Sequence, residues 1–250
     1  MAEHDFHTPE PVDLDVTIPI GDIEIETVDG DSSTIEVSGT DKLVDQVEVV
    51  QRGRTISVAF RGKHHGIVFS IGGFNLSGGD LRVRARVPHG SDIELATAAG
   101  DMQVHGRVHR LETKSASGDL NVIGAVEENA HVKTVSGDVF LASVGNELTV
   151  QSVSGDLRAE SVGGDVEVKT VSGDVRVNAQ RGKATVQSVS GDIEIGVAPG
   201  TNLDVDAGSV SGDLTSEVPL GSDAGSLSDG PTLVVRGKTV SGDFRVYRAA

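Results

Sequence analysis

Aspartates that recur at a fixed spacing are the feature of this sequence most suggestive of chemistry. Gly-Asp pairs repeat through the middle of the chain, so that stacked carboxylates could form an oxygen-rich ladder of the kind calcium prefers. The candidate ligands are Asp119, Asp138, Asp156, Asp174 and Asp192. Each repeat supplies only one such acid. We therefore expect these aspartates to accept backbone hydrogen bonds at turns, with calcium binding as the less favoured alternative.

Two histidine pairs are weaker candidates for a metal site. Neither His64-His65 nor His105/His109 has a carboxylate partner at ligand spacing, and the chain contains no cysteine. Glycan-cleaving β-helices use an acid/base cluster and sugar-stacking aromatic rings, whereas aromatic residues make up only 3% of this chain. The sequence therefore predicts neither a catalytic residue nor a cofactor.

The repeat that carries these aspartates has a regular period. From Asp101 to Asp192 the Gly-Asp pairs recur at steps of 18, 19, 18, 18 and 18 residues, with sequences such as TVSGDV and SVSGDL. Such a period is typical of a solenoid, and the alternation of apolar and polar residues within each repeat indicates strands. The prediction is an all-β fold, a β-solenoid with two strands in each rung of about 18 residues.

Alignment of the repeats on Asp defines columns of similar residues. The columns one and three residues after Asp are aliphatic, and we expect both to face inward. The column three residues before Asp is aliphatic too and is also predicted to face inward. Its members are Ala98, Ala116, Val135, Val153, Val171, Val189, Val210 and Val240. The Ser or Thr column four residues before Asp suits a bend where a hydroxyl bonds nearby backbone.

A glycine precedes each of these aspartates. Glycine adopts positive φ without the steric penalty that other residues incur, so it marks the predicted corner of each rung. The structural corners are Gly118, Gly137, Gly155, Gly173, Gly191, Gly212 and Gly242.

The chain reads as a polar tail followed by one solenoid domain. The tail is 1–11 and the domain is 12–248, with an irregular N-terminal part over 12–96 that contains an early corner at Gly30-Asp31. Regular rungs follow over 97–213, then a loop rich in glycine and proline over 214–231. The terminal rung is 232–248, where Phe244 and Tyr247 are expected to cap the core.

Charge and hydropathy limit the function classes. A net charge of −17 argues against nucleic acid, whose binding requires neutralised phosphates. The sequence has no apolar run long enough to span a membrane and no secretory signal, which predicts a cytoplasmic protein.

Several residues are candidates for contact with a partner. Residues 51–91 have a local charge of +6 and contain an apolar loop. Such a surface could bind an acidic partner, although the acidic segment 1–30 could instead neutralise it within the molecule. Phe140 is an aromatic residue in an outward column, between Asn121 and Arg158. The candidates are Phe69, Ile71, Phe74, Leu76, Arg82, Arg84, Arg86 and Phe140. The alternative for the loop is a cover over the end of the core.

The repeated SGDV corner, the DIEIETVDG opening and the 18-residue rung resemble the bacterial family described as "putative adhesin", whose repeat unit is called the toastrack domain. The resemblance spans about residues 12–248. It implies a β-solenoid without established enzymatic activity, and it offers no catalytic residues to carry over.

These observations favour a non-catalytic scaffold that presents a repetitive face to a protein or glycan partner. The alternative is a cytoplasmic polymer similar to the bactofilins, and a calcium-binding repeat protein is a third reading. The bulky residues at the terminal rung favour a monomer over a polymer.

Overall fold

The computed structural model describes residues 1–61, 81–218 and 230–249. The described part consists almost entirely of β-strands, with one short helix, α1, over Asp41–Val44. Strands β1 to β22 are, in order, Ala2–His7, Asp13–Ile20, Asp22–Val28, Ser32–Ser38, Val47–Arg52, Thr55–Phe60, Arg82–Pro88, Ser91–Ala99, Met102–Ser117, Leu120–Val126, Ala130–Lys133, Val139–Val144, Leu148–Gln151, Leu157–Val162, Val166–Lys169, Val175–Ala179, Gly182–Gln187, Ile193–Val197, Asn202–Ser211, Leu214–Ser216, Thr232–Ser241 and Phe244–Arg248.

The strands form two facing ladders. The long strand β9 joins them, because its first half pairs in the first ladder and its second half pairs in the second. The first ladder runs β1–β4–β7–β3–β9–β10–β12–β14–β16–β18–β22–β20. The second runs β5–β6–β2–β8–β9–β11–β13–β15–β17–β21–β19. Among the described strands, only the pairs β1–β4, β4–β7 and β5–β6 are antiparallel. The predicted β-solenoid with two strands in each rung is confirmed.

Each regular rung places one strand in each ladder and buries its inward side chains between them. Val175 and Val177 of β16, one and three residues after Asp174, are both buried. The backbone N–H of Val175 donates to the carbonyl of Asp192 in the next rung at 2.9 Å, so the rungs are joined by continuous hydrogen bonding. β-Branched residues are common in these columns because they pack well on a pleated surface, and Leu, Met and Ala occupy the other positions. Both predicted inward columns are therefore correct through the regular rungs.

The third predicted inward column is wrong. The valines three residues before Asp face solvent, and the Thr or Ser before each valine is largely buried instead. In β15 the buried residues are Val166 and Val168, and strict alternation continues to Thr170, so Val171 must point outward. The hydrophobic character of valine suggested burial, whereas the two-residue period dictates exposure.

The rung order at the C-terminal end differs from the chain order. β21 lies between β17 and β19, and β22 lies between β18 and β20. The outermost rung is therefore formed by β19 and β20, and the later segment 232–248 is inserted beneath it. Phe244 is fully buried in this penultimate rung and does not cap the end of the core.

Phe244 occupies space that a glycine leaves open across the core. A Cβ built on Gly237 of β21 would lie less than 3.0 Å from the ring of Phe244. One rung earlier, the corresponding residues are Val186 and Ile193. The Val186–Ile193 rung thus fills the core with two medium-sized side chains, whereas the next rung fills similar space with one large ring opposite a glycine. This difference explains the presence of Phe244 in a column of aliphatic residues.

The N-terminal end departs from the sequence-based prediction in two respects. Residues 2–7, expected to belong to a flexible tail, form β1, which pairs antiparallel with β4. The first corner is Gly21-Asp22, between β2 and β3, rather than Gly30-Asp31. Gly21 has a φ of 124°, and a Cβ there would collide with the carbonyl of Leu81.

No helix in the described residues is long and apolar enough to cross a membrane.

Candidate interaction surface

The glycine of each corner is required by its backbone angle and by a close approach between rungs. Gly173 has a φ of 115°, and a Cβ built on it would lie less than 3.0 Å from the carbonyl oxygen of Gly155 in the preceding rung. A side chain would therefore be strained by conformation and blocked by backbone. Positive φ occurs at all seven predicted corners: Gly118, Gly137, Gly155, Gly173, Gly191, Gly212 and Gly242.

The aspartates form a hydrogen-bonded ladder along these corners. The backbone N–H of Asp174 donates to Oδ1 of Asp156 at 2.9 Å, and that of Asp156 donates to Oδ1 of Asp138 at 2.9 Å. The same bond recurs from Asp101, which donates to Asp22, to the outermost rung, where Asp213 donates to Asp243. Each carboxylate thus satisfies an amide of its neighbour, a structural role that explains one acid per rung.

No group of three or more potential metal ligands occurs in the residues that the structure describes. His105 lies in β9, and His109 Nε2 lies 3.8 Å from Oε2 of Glu128. His64 and His65 lie outside the described residues. Calcium binding by the aspartate ladder stays the less favoured alternative, which an experiment can test.

The hydroxyl column shapes the bend before each corner. Thr170 Oγ1 donates to the carbonyl of Ser172, two residues ahead, at 3.1 Å. Equivalent bonds hold Ser115, Thr134, Ser152, Ser188 and Thr239. The buried hydroxyl fixes the turn, and the valine between donor and acceptor residues faces outward.

The outward valines form a continuous apolar line, which we call the valine ridge. Its members, in spatial order, are Val135, Val153, Val171, Val189, Val240 and Val210. Their exposed fractions range from 45% at Val153 to 82% at Val210. The carbonyl of Val153 accepts the N–H of Ser172 at 2.9 Å, and the carbonyl of Val171 accepts that of Ser190 at 2.9 Å. Successive valines are therefore held one rung apart by backbone bonds.

The valine ridge separates two lines of opposite character. On the side of the first ladder lie the carboxylates of the corners. On the side of the second ladder lies an exposed line that we call the lysine stripe, which consists of Lys133, Gln151, Lys169, Gln187 and Lys238. The edge of the solenoid thus presents acid, valine and base side by side in each rung that carries a lysine.

The lysines of the stripe differ in their ionic partners. Lys169 pairs with Glu167 of the same strand, and this hydrogen bond lowers the pKa of Glu167. Lys114, in the rung before the stripe, lies between Glu112 and Glu94, which raise the pKa of its ammonium group. Within the described residues, neither Lys133 nor Lys238 has a carboxylate within 4.0 Å. These two charges are therefore available to an external group.

The arginines predicted to contact a partner are paired within the molecule. Arg84 donates to Glu24 at 2.8 Å, which raises the pKa of the guanidinium, and Arg86 lies 3.0 Å from Glu26. Arg82 lies 3.5 Å from Asp22. The acidic strand β3 thus lies beside the basic strand β7 in the same ladder, which is the internal neutralisation predicted as an alternative. Contact of these arginines with a partner stays untested.

Phe140 lies in the outward column that the sequence predicted, between Asn121 and Arg158 in neighbouring rungs. It is half-buried on the outer face of the first ladder, in the rung next to Ile123, which is 49% exposed. The apolar surface here is confined to a few side chains. The remaining contact candidates, Phe69, Ile71, Phe74 and Leu76, lie outside the described residues.

Sequence reasoning missed the valine ridge although the signal was present. Lys133, Val135 and their equivalents have the same parity along the strand, so an exposed lysine two residues earlier indicates an exposed valine. The residue type masked this signal, because valine is usually buried.

The chain is a repetitive β-solenoid protein. Its two ladders are mainly parallel, each regular rung has one Gly-Asp corner, and one edge is apolar and exposed. Within that class, the family model described as "Toastrack DUF4097" matches residues 13–246, and the chain belongs to this family. The predicted resemblance is thereby confirmed.

Two solved structures show the same fold over nearly their whole length. A crystal structure described as a putative adhesin from Bacteroides fragilis is 15% identical, with 98% of this chain and 96% of that chain covered and a TM-score of 0.52. One described as a putative lipid binding protein from Parabacteroides distasonis is 13% identical over the same shares, with a TM-score of 0.53. A search of curated proteins found no match. At these identities the likeness establishes the fold alone.

Proposed function

We propose that this protein is a non-catalytic scaffold that binds a protein partner along its valine ridge. The main support for this proposal is that six valines, each at least 45% exposed, are aligned on successive rungs of a hydrogen-bonded ladder. Contiguous exposed apolar surface marks interaction sites, and a row this regular exceeds the scattered apolar residues of an ordinary surface.

The chemistry of the edge favours a protein over a glycan or a lipid surface. Glycans are bound largely by aromatic stacking, and the ridge is aliphatic. An anionic membrane would be repelled by a chain of net charge −17. A protein partner can supply both an apolar strip and matching charges. The relative described as a lipid binding protein provides a second candidate ligand class, to be tested with neutral vesicles.

A non-catalytic role is supported by the aspartate ladder itself. Its Oδ1 atoms accept hydrogen bonds from backbone amides, so one oxygen of each carboxylate is used by the fold. The cytoplasmic location is part of the same proposal, and fractionation of cells that express the tagged chain tests it.

Site-specific photo-cross-linking in cells tests the binding edge. A photoreactive residue at Val153 should give one dominant adduct, identified by mass spectrometry. A matched probe at Thr185, on the outer face of β17, should give none. The triple variant V153T/V171T/V189T, probed at Val135, should lose the adduct and retain its melting temperature. Threonine keeps the shape of valine and replaces one methyl group with a hydroxyl, which makes the ridge more polar. Equal labelling at Val153 and Thr185 would contradict the proposal.

A further inference from the structure

We infer that one partner of the valine ridge is a second copy of this chain, packed side by side with its long axis parallel to the first. This inference rests on the proposed function, because it uses the ridge as the binding edge. It adds the identity and the orientation of the partner.

The spacing of the ridge supports a second copy as its occupant. Strands in a sheet lie about 4.8 Å apart, so six valines span roughly 24 Å. An ordinary protein surface matches such a row at one or two points, whereas a second copy has the same spacing along its whole length. Each valine can then contact its counterpart without a loss of register.

The charges beside the ridge decide between two orientations. A two-fold axis along the solenoid places the acid side of one copy opposite the base side of the other, at the same rung. Lys133 then faces Asp138 of the second copy, and Lys238 faces Asp243 of the second copy. An axis perpendicular to the solenoid, in the plane of the interface, places acid against acid instead. Opposite charges stabilise the parallel dimer and like charges disfavour the antiparallel one.

The acids are placed to accept this contact. In Asp138, Oδ1 accepts a hydrogen bond from the amide of Asp156, and the residue is exposed, which leaves Oδ2 outside that bond. Lys133 is also exposed, and it acts on Glu112 only at a distance beyond that of an ion pair. The pair therefore forms without breaking an existing ion pair.

The dimer should be weak and reversible. The ridge is one residue wide, while stable interfaces bury about 1,200–2,000 Å² in total. We therefore expect an equilibrium between monomer and dimer at accessible protein concentrations rather than a permanent complex.

Sedimentation equilibrium of the full chain tests the partner. The apparent mass should rise with concentration from 25.9 kDa towards twice that value. The variant V153T/V171T/V189T should weaken association at least about tenfold. K133E/K238E should do the same. The control K42E/K183E carries the same change in net charge at exposed sites away from the ridge and should associate like the wild type. A single 25.9 kDa species at every concentration would overturn the inference.

Cysteine cross-linking tests the orientation, and the absence of native cysteine makes each introduced thiol unique. The exposed Ser136 and Ser211 flank the first and last valines of the ridge, five rungs apart. In the parallel dimer, S136C alone and S211C alone each form a disulfide-linked dimer under mild oxidation. Cross-linking only in a mixture of S136C with S211C would indicate the antiparallel dimer and overturn the proposed orientation.

The failure of this inference can be told from the failure of the proposed function. If the chain sediments as a monomer but the probe at Val153 captures a different protein, the ridge is a binding edge and the second copy is not its partner. If there is neither a dimer nor an adduct at Val153, both proposals are wrong.

Discussion

At the scale of single residues, the corner shows how a short motif fixes geometry. Glycine is needed for positive φ, which could be expected from the sequence, and for contact with the carbonyl of the preceding rung, which only the structure shows. The sequence predicted that each Asp accepts backbone hydrogen bonds at its corner, and the structure shows that the donor is the amide of the next rung. The orientation of the valine could not be expected from residue type alone, because the parity of the strand overrides the preference of valine for the interior.

Replacement of one corner glycine should strain the solenoid locally. We expect Gly173→Val to lower stability by more than about 1 kcal/mol, since it forces positive φ on a branched residue that collides with Gly155. The matched control is Gln151→Val, at an exposed strand position where valine suits the backbone. Thermal unfolding of both variants measures the difference, and equal melting temperatures would refute the role of Gly173.

The aspartate ladder should depend on its hydrogen bonds and not on charge. Asp156→Asn keeps an Oδ1 acceptor for the amide of Asp174, so it should be close to neutral. Asp156→Ala removes the acceptor and should cost about 1 kcal/mol. Chemical denaturation compares the two variants directly. Similar destabilisation by Asn and by Ala would show that the negative charge matters.

Calcium gives an independent test of the same ladder. A ligand that binds only the folded state raises stability by mass action. Because the Oδ1 atoms already accept amide hydrogen bonds, we expect millimolar calcium to leave the melting temperature unchanged. A rise of several degrees that EDTA reverses would establish a metal site in the ladder.

At the scale of the strand and the rung, the core is fitted layer by layer. The columns that face inward could be predicted because their period is regular and their residues are aliphatic. The pairing of Gly237 with Phe244 could not, because the two positions belong to different strands and meet only across the core. The pairing of β3 acids with β7 arginines was foreseen only as an alternative, since sixty residues separate Glu24 from Arg84.

The Gly237–Phe244 layer yields a prediction with its own rescue. Gly237→Val should be destabilising by about 1–3 kcal/mol because the new side chain collides with the buried ring. The double variant G237V/F244I recreates the Val186 and Ile193 pair of the adjacent rung and should recover most of that loss. Denaturant midpoints of the single and double variants measure the coupling. Additive losses would show that the two positions do not compete for space.

At the scale of the whole molecule, the sequence specifies rungs more firmly than their order. Segments 202–216 and 232–248 both fit the same columns, and nothing in the repeat decides which one contacts the rung before it. The structure inserts the later segment beneath the earlier one, which moves Phe244 away from the end of the stack. The repeat period shows which residues occupy equivalent positions in their rungs. Which rungs are adjacent in space depends on the path of the connecting segments.

The order of the rungs also determines how the ends of the molecule meet. The outermost described rung, residues 198–218, carries four acids and no lysine or arginine. Arg236 and Arg245 of the adjacent rung pair with three of these acids, which leaves Asp213 without a basic partner among the described residues. At the opposite end, β1 contains Glu3 and Asp5. Head-to-tail stacking into a filament would bring acidic ends together, which costs free energy at low ionic strength, where the Debye length is about 30 Å.

We therefore expect no filaments in dilute buffer and no species larger than a dimer, as measured by light scattering and electron microscopy. Neutralisation of the ends by E3Q/D5N/D213N should increase association, while K183Q, changed at an exposed site of an inner rung, should not. Regular filaments of the wild type at low salt would instead support the polymer that the sequence left open. They would also mean that backbone pairing at the ends outweighs the repulsion between their carboxylates.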